Sequence, residues 1–183
     1  MLKNVNYSKI LFFDIETVPQ TFDYNELDEK GQGLWDRKTS FIQQREDLNA
    51  EEVYEKAGIY AEFGKVVCIS LGFVLQKEGE TQIRIKSIAN EDEIVLLQEF
   101  LDLLNSYYNS PDFLFCAHNG KEFDIPFLCR RMVARIGRSV VPAHSRMAGS
   151  TAVGDRLCRR SPPTDLFRAS IALECARTSC HLL

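Results

Sequence analysis

The chain has 183 residues, 45% of them hydrophobic, which is enough for one domain with a real core and little more. It holds no run of about 18 apolar residues that would cross a bilayer, and its start, MLKNVNYSK, lacks the apolar stretch of a secretory leader. The net charge of −4 is unevenly spread: residues 1–130 carry 13 basic and 23 acidic side chains, whereas residues 131–183 carry 9 arginines, no lysine and 3 acids. An acidic body argues against a large non-specific polyanion surface, but not against a small site that reaches phosphates through metal ions.

The first predicted element is a strand over residues 9–16, in KILFFDIETVPQ. Its nearly continuous apolar run suits burial on both faces, and Pro19 ends it. Residues 22–62 are charged and Glu-rich, and read as one or two short helices elaborating the domain. Within them NAEEVYEKAG forms a compact helix, with Asn49 as its N-cap and Gly58 near its end. KVVCISLGFVLQ (65–76) and TQIRIKSI (81–88) read as two strands joined by the tight turn KEGE, hence an antiparallel hairpin. NEDEIVLLQEFLDLLNSYY then reads as an amphipathic helix. Asn90 is its expected N-cap, Glu93 takes the capping-box position, and Ile94, Leu97, Phe100, Leu101 and Leu104 form its apolar face. DFLFCAHNG (112–120) is another buried strand that breaks at Asn119-Gly120. FDIPFLCRRMV opens a helix with Pro126 in its first turn, where a missing N–H costs little. Three early strands followed by a helical crossover predict an α/β fold, a mixed central sheet with helices packed on it.

The six cysteines (Cys68, Cys116, Cys129, Cys158, Cys175 and Cys180) form no CxxC pair and no zinc-like spacing with histidine. Cys68 and Cys116 lie in apolar runs and read as buried thiols. A reducing, cytoplasmic setting is the expectation.

Residues 133–183 differ in character. Phe167 is the one aromatic in the tail from residue 131 on, and RMAGSTAVGDRLCRRSPPTDLFRAS follows neither helical nor strand periodicity. Two readings stand: a disordered basic tail, or a stretch read out of frame after about Met132. The domain proper is then residues 1–132.

Two strand ends carry acids: Asp14 and Glu16 after the first strand, and Asp124 shortly after FLFCAHNG. Alternation puts Asp14 and Glu16 on one face of the strand and Ile15 on the other. Such carboxylates would repel one another without a counter-ion, and magnesium or manganese takes oxygen ligands of this kind. Two ions roughly 4 Å apart would make a phosphoryl-transfer site. The plainer reading is a solvated strand end, with Asp124 as an acid favoured at a helix N-terminus.

FFDIET, followed about a hundred residues later by AHNGKEFDIPFL, resembles the first and second motifs of the DnaQ-like (DEDD) 3′–5′ exonucleases. More narrowly it is similar to the predicted exonucleases related to the proofreading domain of family B DNA polymerases. The resemblance covers roughly residues 8–132, including GIYAEFGKVVCISLGF. It implies a ribonuclease H-like fold and a catalytic, metal-binding set of Asp14, Glu16 and Asp124. Asp14 would bridge two Mg²⁺ or Mn²⁺ ions, Glu16 would bind the one that activates water, and Asp124 would hold the second. Thr17, Asn119 and Phe123 would meet the substrate, with Phe127 packing beside them and Lys121 reaching a phosphate. The implied partner is nucleic acid, the 3′ end of single-stranded DNA, and no membrane.

The family's third motif, a Tyr or His with an Asp a few residues on, is not legible. No Tyr follows Tyr108, His144 stands 11 residues before Asp155, and neither Asp165 nor His181 has the expected surroundings. The expectation is therefore an exonuclease domain with its C-terminal part incomplete or scrambled. The alternative is a truncated or degenerate, non-catalytic domain that binds nucleic acid or a partner. A haloacid-dehalogenase-like phosphatase fits poorly, because it needs an Asp where Glu16 stands and a Thr two residues beyond that.

Overall fold

The computed structural model describes residues 6–108, 110 and 112–137, and the backbone of 146–147. The readings made on residues 133–183, disorder or a lost frame, lie almost wholly outside the described residues, as do His144, Asp155, Asp165 and His181.

The strands are β1 (Ile10–Pro19), β2 (Gly64–Lys77), β3 (Glu80–Ala89), β4 (Leu114–Cys116) and β5 (Arg146–Met147). They form one sheet in the order β3-β2-β1-β4-β5. β3 runs antiparallel to β2, β4 parallel to β1, and β5 parallel to β4. The helices are α1 (Glu29–Glu46), α2 (Glu93–Tyr107) and α3 (Asp124–Ile136). This is the expected ribonuclease H-like mixed sheet flanked by helices. Among the described residues no helix is long and apolar enough to cross a membrane.

The chain divides into two compact units: Met1–Glu16 with Val67–Leu183, and Thr17–Val66. In the first, the β2–β3 hairpin closes through Glu78 and Gly79, whose φ values are 55° and 84°. Positive φ at both loop residues is what a two-residue turn needs to match the strands' twist, and Gly79 supplies it without strain. β1 buries Ile10, Leu11, Phe13 and Ile15. The Phe13 ring stands 6.4 Å from Phe100 on α2 and 6.1 Å from Phe115 on β4, so one side chain joins strand, neighbour and helix. α2 packs on both α3 and β3.

Two details of α2 differ from expectation. Its N-cap is Asp92, whose carboxylate accepts from the Ile94 N–H at 2.8 Å, while Asn90 accepts from the Asp92 N–H at 2.9 Å. Both side chains are good caps, and the helix starts later in the sequence than Asn90 would place it. Its apolar face also shifts: Leu96 is buried and Ile94 is exposed. β4 is shorter than the strand expected over 112–120, and Cys116 is half-buried whereas Cys68 is fully buried.

In the second unit, one helix of 18 residues stands in place of the one or two short ones expected. Asp28 caps it through the Gly31 N–H at 2.7 Å. The 3₁₀ helix Glu52–Ile59 has Glu51, not the expected Asn49, as its N-cap, and the turn before it is closed by a reciprocal pair: the Asn49 side chain accepts from the Glu52 N–H at 2.9 Å, and the Glu52 carboxylate accepts from the Asn49 N–H at 2.8 Å. Trp35 sits at the centre of this unit's core with Val53, Tyr54, Ala57 and Phe63. Its indole N–H donates to the Ala50 carbonyl at 2.8 Å, and the Tyr54, Tyr60 and Phe63 rings surround it edge-on at 5.0–5.6 Å.

Candidate active site

β1 and β4 lie side by side and in parallel, with Phe12 opposite Cys116 as the last paired residues. Beyond that pair β1 continues through Asp14 and Glu16 while β4 stops and turns away. The sequence dictates the turn. Asn119 adopts φ 57°, a conformation that Asn tolerates better than most residues. Its carbonyl accepts from the N–H groups of Glu122 and Phe123 at 2.9 and 3.0 Å, and the Gly120 carbonyl accepts from the Ile125 N–H at 2.9 Å. A Cβ at position 120 would stand 2.5 Å from the Ala117 Cβ, so only glycine closes this loop without displacement. The chain emerges as α3, with Asp124 its first residue.

Asp124 is only 2% exposed. One carboxyl oxygen, Oδ1, accepts from the Ile15 N–H on β1 at 3.3 Å. The other, Oδ2, is buried and has no hydrogen-bond partner among the described residues. Burial pushes its pKa up to about 7, and the charge of Asp14 and, more weakly, of Glu16 pushes the same way; the backbone N–H groups of Asp124 and Ile15 act against both. Glu16 is exposed as a residue. Its carboxyl nonetheless loses part of its water to the surrounding protein, which raises its pKa, and the charge of Asp14 adds to the rise. Asp124, distant in the chain from Asp14 and Glu16, thus shares one electrostatic field with them.

An acid that merely capped a helix dipole would be held in its charged form. Asp124 is instead pushed toward its neutral form, with an orphaned oxygen whose burial costs free energy. A divalent cation would relieve both. Carboxylate oxygens are the hard donors that magnesium and manganese prefer, so the donor set fits such ions. As they stand, no three His, Cys, Asp or Glu side chains among the described residues are gathered closely enough to hold a metal. The acids share a field without sharing a coordination sphere.

The remaining expected residues are placed as follows. Thr17 follows Glu16 on β1 and is half-buried, Asn119 and Lys121 are exposed on the turn, and Phe123 is half-buried at the start of α3. The Phe123 ring lies 5.5 Å from that of Phe127, which is a core residue at 2% exposure.

One tie behind the site has no local signal in the sequence. Arg131, on α3 with Asp124, donates from Nε to Glu93 Oε1 at 2.8 Å and from Nη2 to Oε2 at 2.5 Å. Both side chains are buried, and Arg135 adds a third cationic nitrogen at 3.5 Å from Oε2. Glu93 is therefore the anchor of a fork between α2 and α3, not a capping-box residue.

The family described as DNA polymerase family B, exonuclease domain, matches residues 40–153. The matched stretch contains the turn, Asp124 and α3, begins after Asp14 and Glu16, and runs past residue 132. No curated protein matches the chain. With well over half its length matched, and a fold that agrees with that match, the chain belongs to the exonuclease-domain family of the family B DNA polymerases.

Proposed function

We propose that this chain is a metal-dependent 3′–5′ exonuclease that hydrolyses the terminal phosphodiester of single-stranded DNA. The observation that carries the reading is Asp124: a buried carboxyl with one unpartnered oxygen, its pKa about 7, standing in the field of Asp14 and Glu16. The family match supports the nuclease class. Asp14, Glu16 and Asp124 would hold the ions, Mg²⁺ or Mn²⁺. When bound, such ions supply Lewis acidity for activating a water and for stabilising the leaving oxygen.

The chain's own residues prepare the site. Strand alternation presents Asp14 and Glu16 on one face of β1. The Ile15 N–H fixes Asp124 through Oδ1, so Oδ2 is the oxygen left to bind. Asn119, held in its turn by two hydrogen bonds to its carbonyl, offers its side chain to a substrate backbone. Thr17 and the half-buried Phe123 are the further substrate contacts of this reading.

The test is a 3′-labelled single strand with Mg²⁺ or Mn²⁺, comparing the chain with Asp14→Ala. Metal-dependent loss of label that the substitution abolishes is the expected result, and equal loss in both overturns it. A second reading, a nucleic-acid-binding domain without turnover, is favoured by the absence of a ready three-ligand group among the described residues. It predicts no release of label and no thermal shift with Mn²⁺.

A further inference from the structure

The solvent face of α1 carries a stripe that neither the core nor the candidate site uses. Lys30, Leu34, Arg37, Phe41 and Arg45 recur at steps of four, three, four and four, with Lys38 alongside, and all six are exposed. The helix's acids, Glu29, Asp36 and Glu46, fall outside the stripe. Four cations, two of them ion-paired, along one helix face stand out in a stretch that carries 23 acids to 13 bases over residues 1–130. The opposite face buries Trp35 and Thr39.

Such a face is ordinarily no more than solvated charge, and part of the charge is internally used. Lys38 pairs with Glu62 at 3.3 Å and lies 5.3 Å over the Tyr60 ring, while Arg45 pairs with Glu46 at 2.6 Å. Lys30 and Arg37 make no ion pair among the described residues. The apolar members distinguish the stripe further. Phe41 is 70% exposed, and the Arg45 guanidinium sits 5.9 Å from its centroid. Exposed aromatic rings interleaved with cations are the elements of single-strand recognition: the cations track the phosphates and the ring stacks on a base.

We infer that the solvent face of α1 binds single-stranded DNA, with Lys30 and Arg37 on phosphates and Phe41 stacked on a base. The choice of DNA among polyanions rests on the exonuclease reading; the polyanion itself follows from the charge on the face. Lys38 and Arg45 add to the local field while remaining tied to their own carboxylates.

The test measures fluorescence anisotropy of a labelled oligothymidine in EDTA, where binding is read without hydrolysis. Lys30→Glu/Arg37→Glu should weaken binding at least tenfold, and should lower the slope of log affinity against log salt by about 1.4, or about 0.7 for each lost phosphate contact. Phe41→Ala should weaken it about fivefold or more. The control Lys77→Glu/Arg84→Glu makes the same charge change on the exposed β2–β3 hairpin and should shift affinity less than twofold. All substituted side chains are exposed, and melting curves verify that each variant folds. Binding by either α1 variant within twofold of the unsubstituted chain overturns the inference. So does a loss matched by the hairpin control, no binding by the unsubstituted chain, or tighter binding to anionic phosphatidylserine vesicles than to DNA. Loss of the 3′ label that persists while the α1 variants bind normally removes this inference and leaves the exonuclease reading intact. Binding through α1 without label release does the reverse.

Discussion

The Asp124 carboxyl, buried and facing two other acids, keeps its proton to about pH 7, and the folded chain therefore binds a proton that the unfolded chain releases near pH 4. Between those values the native state holds more protons than the unfolded state, so this group's contribution to stability falls as pH rises and is least favourable above pH 7. That is opposite to the usual carboxylate. Asp124→Asn keeps the acceptor for the Ile15 N–H and removes the titration. In EDTA its melting temperature should exceed that of the unsubstituted chain at pH 8, with the gap narrowing steadily toward pH 4. Thermal melts across that range check it, and a constant difference would show that Asp124 does not titrate there. The site acids are legible in the sequence because each comes soon after an apolar run, although β1 continues past Asp14 and Glu16 to Pro19 and β4 stops well short of Asp124. The hydrogen bond from Ile15 to Asp124 is not, because it joins residues 109 positions apart and leaves no local pattern.

Among the elements, α2 and α3 are held by the fork between Glu93 and Arg131, and α3 carries Asp124 at its other end. Removing one partner of a buried pair leaves the other charge uncompensated, which costs about 3–5 kcal/mol. Glu93→Ala should destabilise the chain by about that amount in urea unfolding at pH 7, and Glu93→Ala/Arg131→Met should recover part of the loss. A single substitution costing under about 1 kcal/mol would mean that water or Arg135 makes good the pair. In the sequence Glu93 passes for a capping residue because Asn90 stands three before it. Asp92 is an equally good cap, and local chemistry cannot choose between them. The hairpin is legible because a β-branched apolar run, the alternation of TQIRIKSI and a Glu-Gly loop between them leave little freedom. α1 reads as shorter pieces because it buries only Trp35 and Thr39, too few residues to show a helical period, and has Gly31 and Gly33 near its start.

Over the whole molecule, each compact unit has its own hydrophobic centre. That of the Thr17–Val66 unit depends on Trp35, fully buried, ringed by three aromatic side chains and hydrogen-bonded to Ala50. Trp35→Ala should cost about 3–5 kcal/mol through the cavity it leaves. Hydrogen exchange should show the loss first in residues 17–66, because the contacts removed all lie there. Uniform loss of protection along the chain would show instead that the two units unfold as one.

The turn from β4 to α3 also acts as a filter on sequence drift. A side chain at position 120 collides with Ala117, Asn119 must tolerate a left-handed backbone, and Asp124 is committed to the Ile15 N–H. Variation in this loop is thereby channelled to His118, Lys121 and Glu122, all three exposed. Those positions can change charge or size without a clash at position 120 or the loss of the Asp124–Ile15 hydrogen bond, so under the proposed exonuclease reading they are where such a loop is free to be retuned.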